Sequence, residues 1–413
     1  MRKILALLVL VVGTLPYPAN AATMKPTKSL IELPYTKSDQ VSDVLLTPVS
    51  ILLVGTTESP NSTWINGALG GLSDGFIASY SSLGAPMWNL RLGGVSDEIA
   101  TSALIDSDGS IWVLGASSSP TTATTSPTPA KVLNPDNVII DPQQISTTPL
   151  KRIKIWQISN TGNLLNSFEF LSENIVNPRK ILSSGNNLII IGNLYEKKLV
   201  SGFFISATKS GSFSPIIKVG SKSTSLNDAI INSDGTLTAV GTSSETLMKA
   251  KPLSKADAVT LKISSTGVLQ QVARATLKGT TRTWSSIDSG LLQAGKVSYS
   301  NKTEAAITKF SALNKPLWNV RYLSKSTALA TTGKNSWATF VSAGAIKNIT
   351  AWKPKSSTAV LLELGKTGEI LSAYTLATPA VAISSNNEIR KSPSPNPSWF
   401  SGKELWCKGQ SLL

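Results

Sequence analysis

A short apolar segment that ends in a small residue recurs along this sequence of 413 residues, and it constrains the fold more than any other feature. Six of the seven small residues are glycine, and their separations range from 47 residues (295 to 342) to 77 residues (115 to 192). Repetition at this spacing indicates one supersecondary unit used many times rather than separate domains. The segments begin at Ile51, Ile111, Leu188, Leu237, Leu291, Ala338 and Leu405, and their small residues are Gly55, Gly115, Gly192, Gly241, Gly295, Ser342 and Gly409.

Three further strands complete each unit. A strand of alternating apolar and polar residues follows each of the first six segments. A turn pair such as Thr161-Gly162 comes next, and it leads to a third strand, of which PMWNLR from Pro86 and PLWNVR from Pro316 are close copies. A fourth strand precedes the next glycine segment, joined to it by a turn such as Ser107-Asp108-Gly109. Four antiparallel strands with a period of about 50 residues predict a blade of a β-propeller.

The stretch from Asp74 to Ser119 shows the unit most clearly. It contains, in order, the strand DGFIASY, the turn and strand GAPMW, the link LGGVSDE and the hairpin DSDG. In this it resembles the seven-bladed β-propeller repeat of secreted bacterial proteins. The resemblance implies an all-β propeller of seven blades with mostly four antiparallel strands each, and an exported location. It implies no shared activity.

The two ends of the chain predict how such a ring closes. After Gly409 the chain stops, so the seventh unit lacks its outer strands, and Lys391 to Ser398 forms a loop inserted in it. Ser29 to Tyr35 (SLIELPY) is a strand without a unit of its own. Because an open ring would expose two apolar sheets, we expect this segment to pair with a C-terminal strand. Whether it takes the third or the fourth strand position stays open.

The first 21 residues predict a signal peptide. Arg2 and Lys3 precede an apolar run from Ile4 to Leu15, and Ala19-Asn20-Ala21 fits a cleavage site. The run is shorter than the roughly 20 residues of a spanning helix, and no transmembrane segment is expected. We therefore predict an exported, secreted or extracytoplasmic protein whose residues 22–413 form one propeller domain, with a disordered Thr/Pro-rich insertion at about 117–149.

Composition excludes several kinds of chemistry. The sequence contains no histidine, which removes Ser-His-Asp and Cys-His catalysis and nearly every transition-metal site. A single cysteine, Cys407, allows no internal disulfide. The formal charge is +15, or +13 once Arg2 and Lys3 leave, so anionic surfaces should attract the chain. We expect no cofactor, no bound metal and no nucleic-acid partner.

The long connections offer the candidate binding residues. With the strands lettered a to d from the axis outward, the b–c connections carry the insertions, and all should lie at one end of the ring. Two of them combine lysines with apolar residues. The predicted surface is basic and aromatic, and it consists of Trp64, Lys249, Lys251, Trp352, Lys353 and Lys355. The competing interpretation is that both tryptophans anchor their loops to the propeller.

Three functions remain open at this point. The first is a monomeric, non-enzymatic binding or scaffold protein that contacts an anionic cell-surface polymer or another protein. The second is a hydrolase or lyase acting on polysaccharide, which would need two converging carboxylates. The insertions contain few acids, namely Glu58, Asp136, Asp141 and Glu245, which favours the first function. The third is an extracytoplasmic protein-assembly factor.

Overall fold

The computed structural model describes residues 22–27, 31–32, 38–60, 62, 64–118, 149–385, 397–401 and 404–407. Within these residues every regular element is a β-strand, as the sequence predicts. The predicted signal peptide, Gly409, most of the predicted insertion at 117–149 and most of the predicted loop at 391–398 lie outside them.

The described strands fall into antiparallel meanders of four, numbered here along the chain. Meander 1 contains β3 (Asp39–Leu46), β4 (Ser50–Thr57), β5 (Asp74–Ser81) and β6 (Pro86–Leu92). Meander 2 contains β7 (Glu98–Ile105), β8 (Ile111–Ser118), β9 (Leu150–Ile158) and β10 (Leu164–Leu171). Meander 3 contains β11 (Ile175–Ser184), β12 (Asn187–Glu196), β13 (Leu199–Thr208) and β14 (Ile217–Val219). Meander 4 contains β15 (Thr224–Ile231), β16 (Leu237–Ser243), β17 (Asp257–Ile263) and β18 (Leu269–Ala275).

The remaining meanders follow the same order. Meander 5 contains β19 (Thr281–Ile287), β20 (Leu292–Ser298), β21 (Thr303–Phe310) and β22 (Pro316–Ser324). Meander 6 contains β23 (Leu329–Thr332), β24 (Ser336–Ser342), β26 (Thr358–Leu364) and β27 (Ile370–Thr375). Meander 7 contains β28 (Ala380–Ser385), β29 (Pro397–Ser401), β30 (Glu404–Cys407) and β2 (Ile31–Glu32). The single pair Ser324–Ser342 joins meanders 5 and 6, which with β1 (Ala22–Pro26) and β25 (Ile349–Thr350) make a ten-stranded sheet.

The first strand of every meander lines one central cavity. In meanders 1 to 6 the glycine or serine segment is therefore the second strand from the centre. Meander 7 differs from the prediction. Its segment from Leu405 is the third strand, because Pro397–Ser401 supplies the second, and only the fourth position is left for another part of the chain.

The recurring glycine is explained by a β-bulge in the first strand. In meander 1 the register shifts between Val41 and Asp43, opposite Gly55. A Cβ on Gly55 would lie 2.0 Å from the carbonyl oxygen of Gln40 and 2.7 Å from the ring of Phe76. The same clash with a first-strand carbonyl would occur at Gly115, Gly192, Gly241 and Gly295. Meander 6, whose β23–β24 ladder shows no such shift, has Ser342 in this place.

Neighbouring meanders pack face to face, so both faces of the inner strands are buried. Leu52 and Val54 of β4 pack with Val113 and Trp156 of meander 2. The alternate residues of β4 pack in another cluster, which also contains Ala382 of meander 7. Strand β28 of meander 7 contacts β3 of meander 1.

The two copies of the P-x-W-N-x-R motif have a packing role. Trp88 of β6 covers Gly162 in the outer turn of meander 2, where a Cβ would lie 2.6 Å from the indole. Trp318 of β22 covers Gly368 of meander 6 in the same way, at 3.0 Å. Both glycines have positive φ, 88° and 85°, so the turn and the contact each require the absence of a side chain.

The N-terminal strands pair with outer strands of meanders 6 and 7. Strand β2 pairs antiparallel with β30, with Ile31 opposite Leu405, which puts part of the segment predicted at Ser29 to Tyr35 in the fourth position. Strand β1 was not predicted. It pairs in parallel with β27, with Met24 opposite Ala373, and with β25, with Ala22 opposite Ile349.

Deletion of residues 22–36 should lower the melting temperature. It removes the partners of β27 and β30 and exposes apolar residues packed near Met24. We expect a loss of at least about 5 °C, since each kcal/mol corresponds to about 2–4 °C in a domain of 150–250 residues. Calorimetry of the shortened protein tests this.

The matched control deletes 15 residues, 125–139, from the insertion that the sequence predicts to be disordered. This deletion should leave the melting curve unchanged. Equal decreases in melting temperature from both deletions would mean that β1 and β2 stabilise the protein no more than the insertion does.

Candidate functional site: the loop end and the central cavity

The second-to-third-strand connections lie at one end of the molecule, here called the loop end. Successive turns of an antiparallel meander alternate between the two ends of its sheet, so these connections share an end. Their lengths follow the predicted insertions, at residues 58–73 in meander 1, 244–256 in meander 4 and 343–357 in meander 6. The connection of meander 2 runs from Ser118 to Leu150, and the structure describes little of it.

The loop of meander 4 is fixed at its start by Glu245. The carboxylate accepts hydrogen bonds from the Thr224 hydroxyl at 2.7 Å and from the backbone N–H groups of Ser221, Lys222 and Ser223 at 3.0, 3.2 and 3.1 Å. Burial acts to raise the pKa of Glu245, but these donors outweigh it and lower the pKa to about 2. Glu245 is therefore an anchor rather than a proton donor.

The rest of this loop is held by a buried ion pair. Arg274 of β18 binds Asp257 of β17 at 3.5 Å and donates to the carbonyl of Ser243 at 3.1 Å. The same oxygen of Asp257 also accepts the N–H of Leu253 at 2.8 Å. Between these anchors the backbone of Leu247 pairs with that of Ala250.

Two of the predicted binding residues, Lys249 and Lys251, lie at or next to the tip of the hairpin that the Leu247–Ala250 pair closes. Met248 and Lys249 form its corner with positive φ of 44° and 68°. Lys249 and Lys251 are exposed, as are Lys255 and Leu253 further along. The loop of meander 4 therefore holds its lysines in water on a fixed backbone.

The loop of meander 6 is anchored by apolar side chains. Ile346 and Ile349 are buried, and Trp352 packs half-buried against the same core. Lys353 and Lys355 beyond the tryptophan are exposed. Trp352 therefore has an anchoring contact, and part of its ring remains at the surface.

Trp64 lies in the core beneath the loop of meander 1. It is 7% exposed and packs edge-on against Phe76, with ring centres 4.9 Å apart. Its indole N–H donates to Asp39 at 3.2 Å, and Asp39 also accepts the hydroxyl of Thr57 at 2.6 Å. This geometry is that of an anchor, the alternative that the sequence left open.

The six predicted residues thus form separate groups. The lysine pairs of meanders 4 and 6 are exposed on their own loops, and meander 5 lies between them in the chain order. A groove of about 380 Å³ adjoins the second loop and is lined by residues of β22 and of the loop, including Tyr322, Ile346 and Lys347. Sequence reasoning did not find this groove, because it depends on how β22 meets the loop of the next meander.

A recurring Asp/Glu–Arg pair ties the third and fourth strands together at the loop end. Arg91 contacts Asp74 at 3.3 Å in meander 1, as Arg274 contacts Asp257 in meander 4. In meander 5 Arg321 contacts Glu304 at 3.4 Å. The arginine of the P-x-W-N-x-R motif therefore has a structural partner in both copies.

Glu98 lies beside the first of these pairs. It is 5% exposed and accepts the N–H of Gly94 at 3.1 Å. Burial, and then the nearby charge of Asp74, raise the pKa of Glu98 to about 7. Asp97 adds to this effect and Lys154 opposes it. Burial also raises the pKa of Asp74, although the N–H of Gly70 and Arg91 favour its charged form.

The central cavity has a volume of about 590 Å³ and is lined by the first strand of each meander described above. Six of these strands contain the β-bulge, and the extra residue of each bulge lines the cavity. We call these six residues the bulge ring: Ser42, Thr101, Arg179, Asn227, Ser285 and Val381.

The residues that follow the bulges form a second set, the axial belt: Asp43, Ser102, Lys180, Asp228, Ser286 and Ala382. Their side chains join neighbouring meanders. Asp43 accepts the Ser102 hydroxyl at 3.0 Å and the N–H of Ala103 at 3.1 Å. Asp228 accepts the N–H of Ile287 at 2.9 Å in the same manner.

In meander 3 the axial-belt position is occupied by Lys180, where meanders 1 and 4 have aspartates that accept hydrogen bonds. Lys180 forms an ion pair with Asp228. Its ammonium lies 3.8 Å from Asp228, and its side chain is 27% exposed to the cavity. Burial alone would lower the pKa of Lys180, but the charges of Asp228 and Asp43 outweigh it and raise the pKa. Lys180 therefore remains charged between two carboxylates.

Within the described residues no helix is long and apolar enough to cross a membrane. The same part of the chain has no cluster of three or more Asp, Glu or Cys side chains placed to hold a metal ion. Asp136 and Asp141, two of the acids considered for catalysis, lie outside the described residues.

Comparison with known proteins leaves the family of this chain open. No family model matches it, and no curated protein sequence is significantly similar. Among solved structures, the Dos1 propeller is 10% identical with a TM-score of 0.46, covering 92% of this chain and 94% of its own. Sqt1 of Chaetomium thermophilum is 9% identical with a TM-score of 0.45, covering 93% and 99%. A Bacteroides caccae protein of unknown function is 9% identical with a TM-score of 0.36, covering 83% of each chain.

These likenesses are too weak to carry an argument about function. The propeller architecture rests on the molecule itself, in which successive four-stranded sheets each contribute their first strand to one cavity.

Replacement of Asp228 by alanine should destabilise the protein. The change leaves the N–H of Ile287 and the charge of Lys180 without their partner. We expect a loss of about 3 kcal/mol in the free energy of unfolding. Asp234→Ala, which removes an exposed aspartate of the neighbouring turn, is the control in urea unfolding and should cost far less.

The double variant Lys180→Met with Asp228→Asn should recover part of the loss. Asparagine retains an acceptor for Ile287, and methionine removes the buried charge. A double variant as unstable as Asp228→Ala would show that the ion pair is not the source of the effect.

Glu98 should make the stability fall as the pH rises. Its folded pKa of about 7 lies above the value of 4.5 expected in the unfolded chain, so the folded state holds the proton more tightly. This favourable contribution is complete below pH 4.5 and is lost as the pH rises to about 7. The full difference is at most about 3 kcal/mol.

Glu98→Gln keeps an acceptor for Gly94 and removes the titration. Relative to wild type, the variant should be stabilised at pH 8 and nearly unchanged at pH 4.5 in urea unfolding. Parallel stability profiles of the two proteins between these pH values would contradict the assignment.

Proposed function

We propose that the protein is a non-enzymatic binding scaffold, exported from the cell, in which seven blades form a closed propeller. The loop end binds an anionic polymer. The exported location is supported by the N-terminal sequence, in which Arg2 and Lys3 precede an apolar run and an A-x-A site.

Closure of the ring is supported by contacts at the junction of meanders 7 and 1. Strand β28 contacts β3, and Ala382 packs in one cluster with Phe76. The pairing of β2 with β30 supplies the fourth strand of meander 7 from the opposite end of the chain. A ring joined in this way leaves no apolar sheet face uncovered at the junction.

The observation that carries the binding proposal is the presentation of lysines on anchored loops. Lys249 and Lys251 project from a hairpin fixed by Glu245 and Arg274. Lys353 and Lys355 follow an anchored tryptophan. Because these loops are already ordered, little conformational entropy is lost when a partner binds, beyond that of the lysine side chains. The partner class is an acidic cell-surface polysaccharide or a teichoic-acid-like polymer.

Glu245 supports binding over hydrolysis. A glycoside hydrolase needs one carboxyl group that donates a proton and a second carboxylate within about 5–10 Å. Glu245 is held in the charged form by its backbone donors, while Glu58 is exposed in another loop. The alternative of a protein-assembly factor stays open, because anchored loops could equally bind an acidic protein surface.

Retention on a heparin-like or teichoic-acid matrix should fall steeply with salt, since exposed charges are screened over a Debye length of about 8 Å at physiological ionic strength. Joint replacement of Lys249, Lys251, Lys353 and Lys355 by serine should lower the salt concentration at which the protein elutes. Elution in a salt gradient measures this directly.

The matched control replaces four lysines at the opposite end of the sheets by serine: the exposed Lys315, Lys334 and Lys366 and the half-exposed Lys262. Both variants lose the same charge, so elution at the same salt concentration would mean that net charge alone determines retention. If the control variant elutes at a higher salt concentration than the variant without the loop lysines, specific binding by the loop end is supported.

A further inference from the structure

Among the described residues, one side chain of the central cavity stands out by its lack of a partner. Arg179 is the extra residue of the bulge in β11, it lines the cavity, and it is exposed to it. The other arginines that the structure describes form an ion pair, a hydrogen bond or a stacking contact, at Arg91, Arg152, Arg274, Arg282 and Arg321. Within the described residues Arg179 has no such contact.

The remaining bulge ring is rich in hydroxyl and amide groups. Ser42 is exposed to the cavity. Thr101 and Ser285 also line it; the Thr101 hydroxyl donates to the carbonyl of Leu114 at 3.3 Å, the Ser285 hydroxyl bonds with that of Thr327 at 2.7 Å, and each oxygen keeps capacity for a further hydrogen bond. Asn227 donates its amide N–H to the carbonyl of Trp284 at 2.7 Å, which leaves the amide oxygen of its side chain as an acceptor. These groups suit the hydroxyls of a sugar or hydroxy acid.

The charges of the cavity limit the charge of a ligand. Lys180 is engaged by Asp228, and Asp43 and Asp288 also line the cavity. An arriving anion therefore meets the cation of Arg179, the Lys180–Asp228 ion pair and two further carboxylates, Asp43 and Asp288. A monoanion can be compensated by Arg179, whereas a dianion would be repelled by the carboxylates. The planar guanidinium matches a carboxylate in a bidentate geometry.

We propose that the central cavity binds a small hydroxylated monocarboxylate of the size of a hexuronic acid, with Arg179 holding the carboxylate and the bulge ring holding the hydroxyls. The volume of about 590 Å³ falls within the range of small-molecule sites. This site lies on the axis and does not depend on the lysine loops of the proposed polymer surface.

Calorimetric titration of the full protein with D-glucuronate tests the proposal. We expect saturable binding at one site, and binding about tenfold weaker or more in Arg179→Gln, because a hydrogen-bonded charge pair is lost. Arg179→Lys should bind with intermediate affinity. Lys366→Gln, which removes an exposed cation from an outer turn, should bind as wild type does.

Neutral and inorganic probes complete the test. Glucose, which lacks the carboxylate, should bind about tenfold more weakly or worse, and inorganic phosphate should not compete with glucuronate. Absence of glucuronate binding to the wild type, equal affinity for glucose, or preference for phosphate would each overturn the proposal. The variant without the four loop lysines should retain glucuronate binding, so this result is separable from the polymer experiment. The melting temperature of Arg179→Gln should be unchanged, since the side chain has no partner among the described residues to lose.

Discussion

The β-bulge in the first strand is the constraint on which much of the structure depends. It inserts one residue into the strand nearest the axis and pushes a carbonyl oxygen over the neighbouring strand, so only glycine fits opposite it, as at Gly55 and Gly115. The same bulge turns one residue into the cavity and places the next where it reaches the adjacent meander. Asp43 and Asp228 use that position to accept an N–H from the neighbouring sheet. One local irregularity therefore explains the sequence repeat, the junctions between sheets and the chemistry of the cavity.

Much of the fold follows from the sequence because its signals are short and local. The glycine segments, the turn pairs and the P-x-W-N-x-R copies predict the strand order that the structure has in meanders 1 to 6. Meander 7 was assigned wrongly beyond its first strand, because β29 has Ser401 rather than glycine opposite the bulge and lies next to a proline-rich stretch. Strand β1 has no signal of its own, since its pairing depends on an edge of meander 6 that is more than 340 residues away (26 to 370).

The candidate sites were less accessible to sequence reasoning. Exposed lysines on long loops can be read from composition, and the structure presents Lys249 and Lys353 at the surface. Trp64 gives no sequence signal that separates an anchor from a binding residue; only its contact with Asp39 does so. Arg179 and Lys180 are adjacent and chemically alike in the sequence. Because of the register shift, Arg179 faces the cavity as the extra residue of the bulge, and Lys180 forms an ion pair with Asp228.

Several acidic side chains lie inside the fold, and two of them are paired with equally buried arginines. Many carboxylates are used inside the fold: Asp39 binds Trp64, Asp74 binds Arg91, and Asp257 binds Arg274. Asp43 and Asp228 are committed to the axial belt, where each accepts an N–H from the neighbouring meander. The lysines of the loop end, by contrast, face solvent. Because a field at the surface is set by the charges that face the solvent, these exposed lysines are the charges that the proposed polyanion would meet at the loop end. Internal carboxylates also hold the backbone that presents those lysines, as Glu245 and Asp257 do for the loop of meander 4.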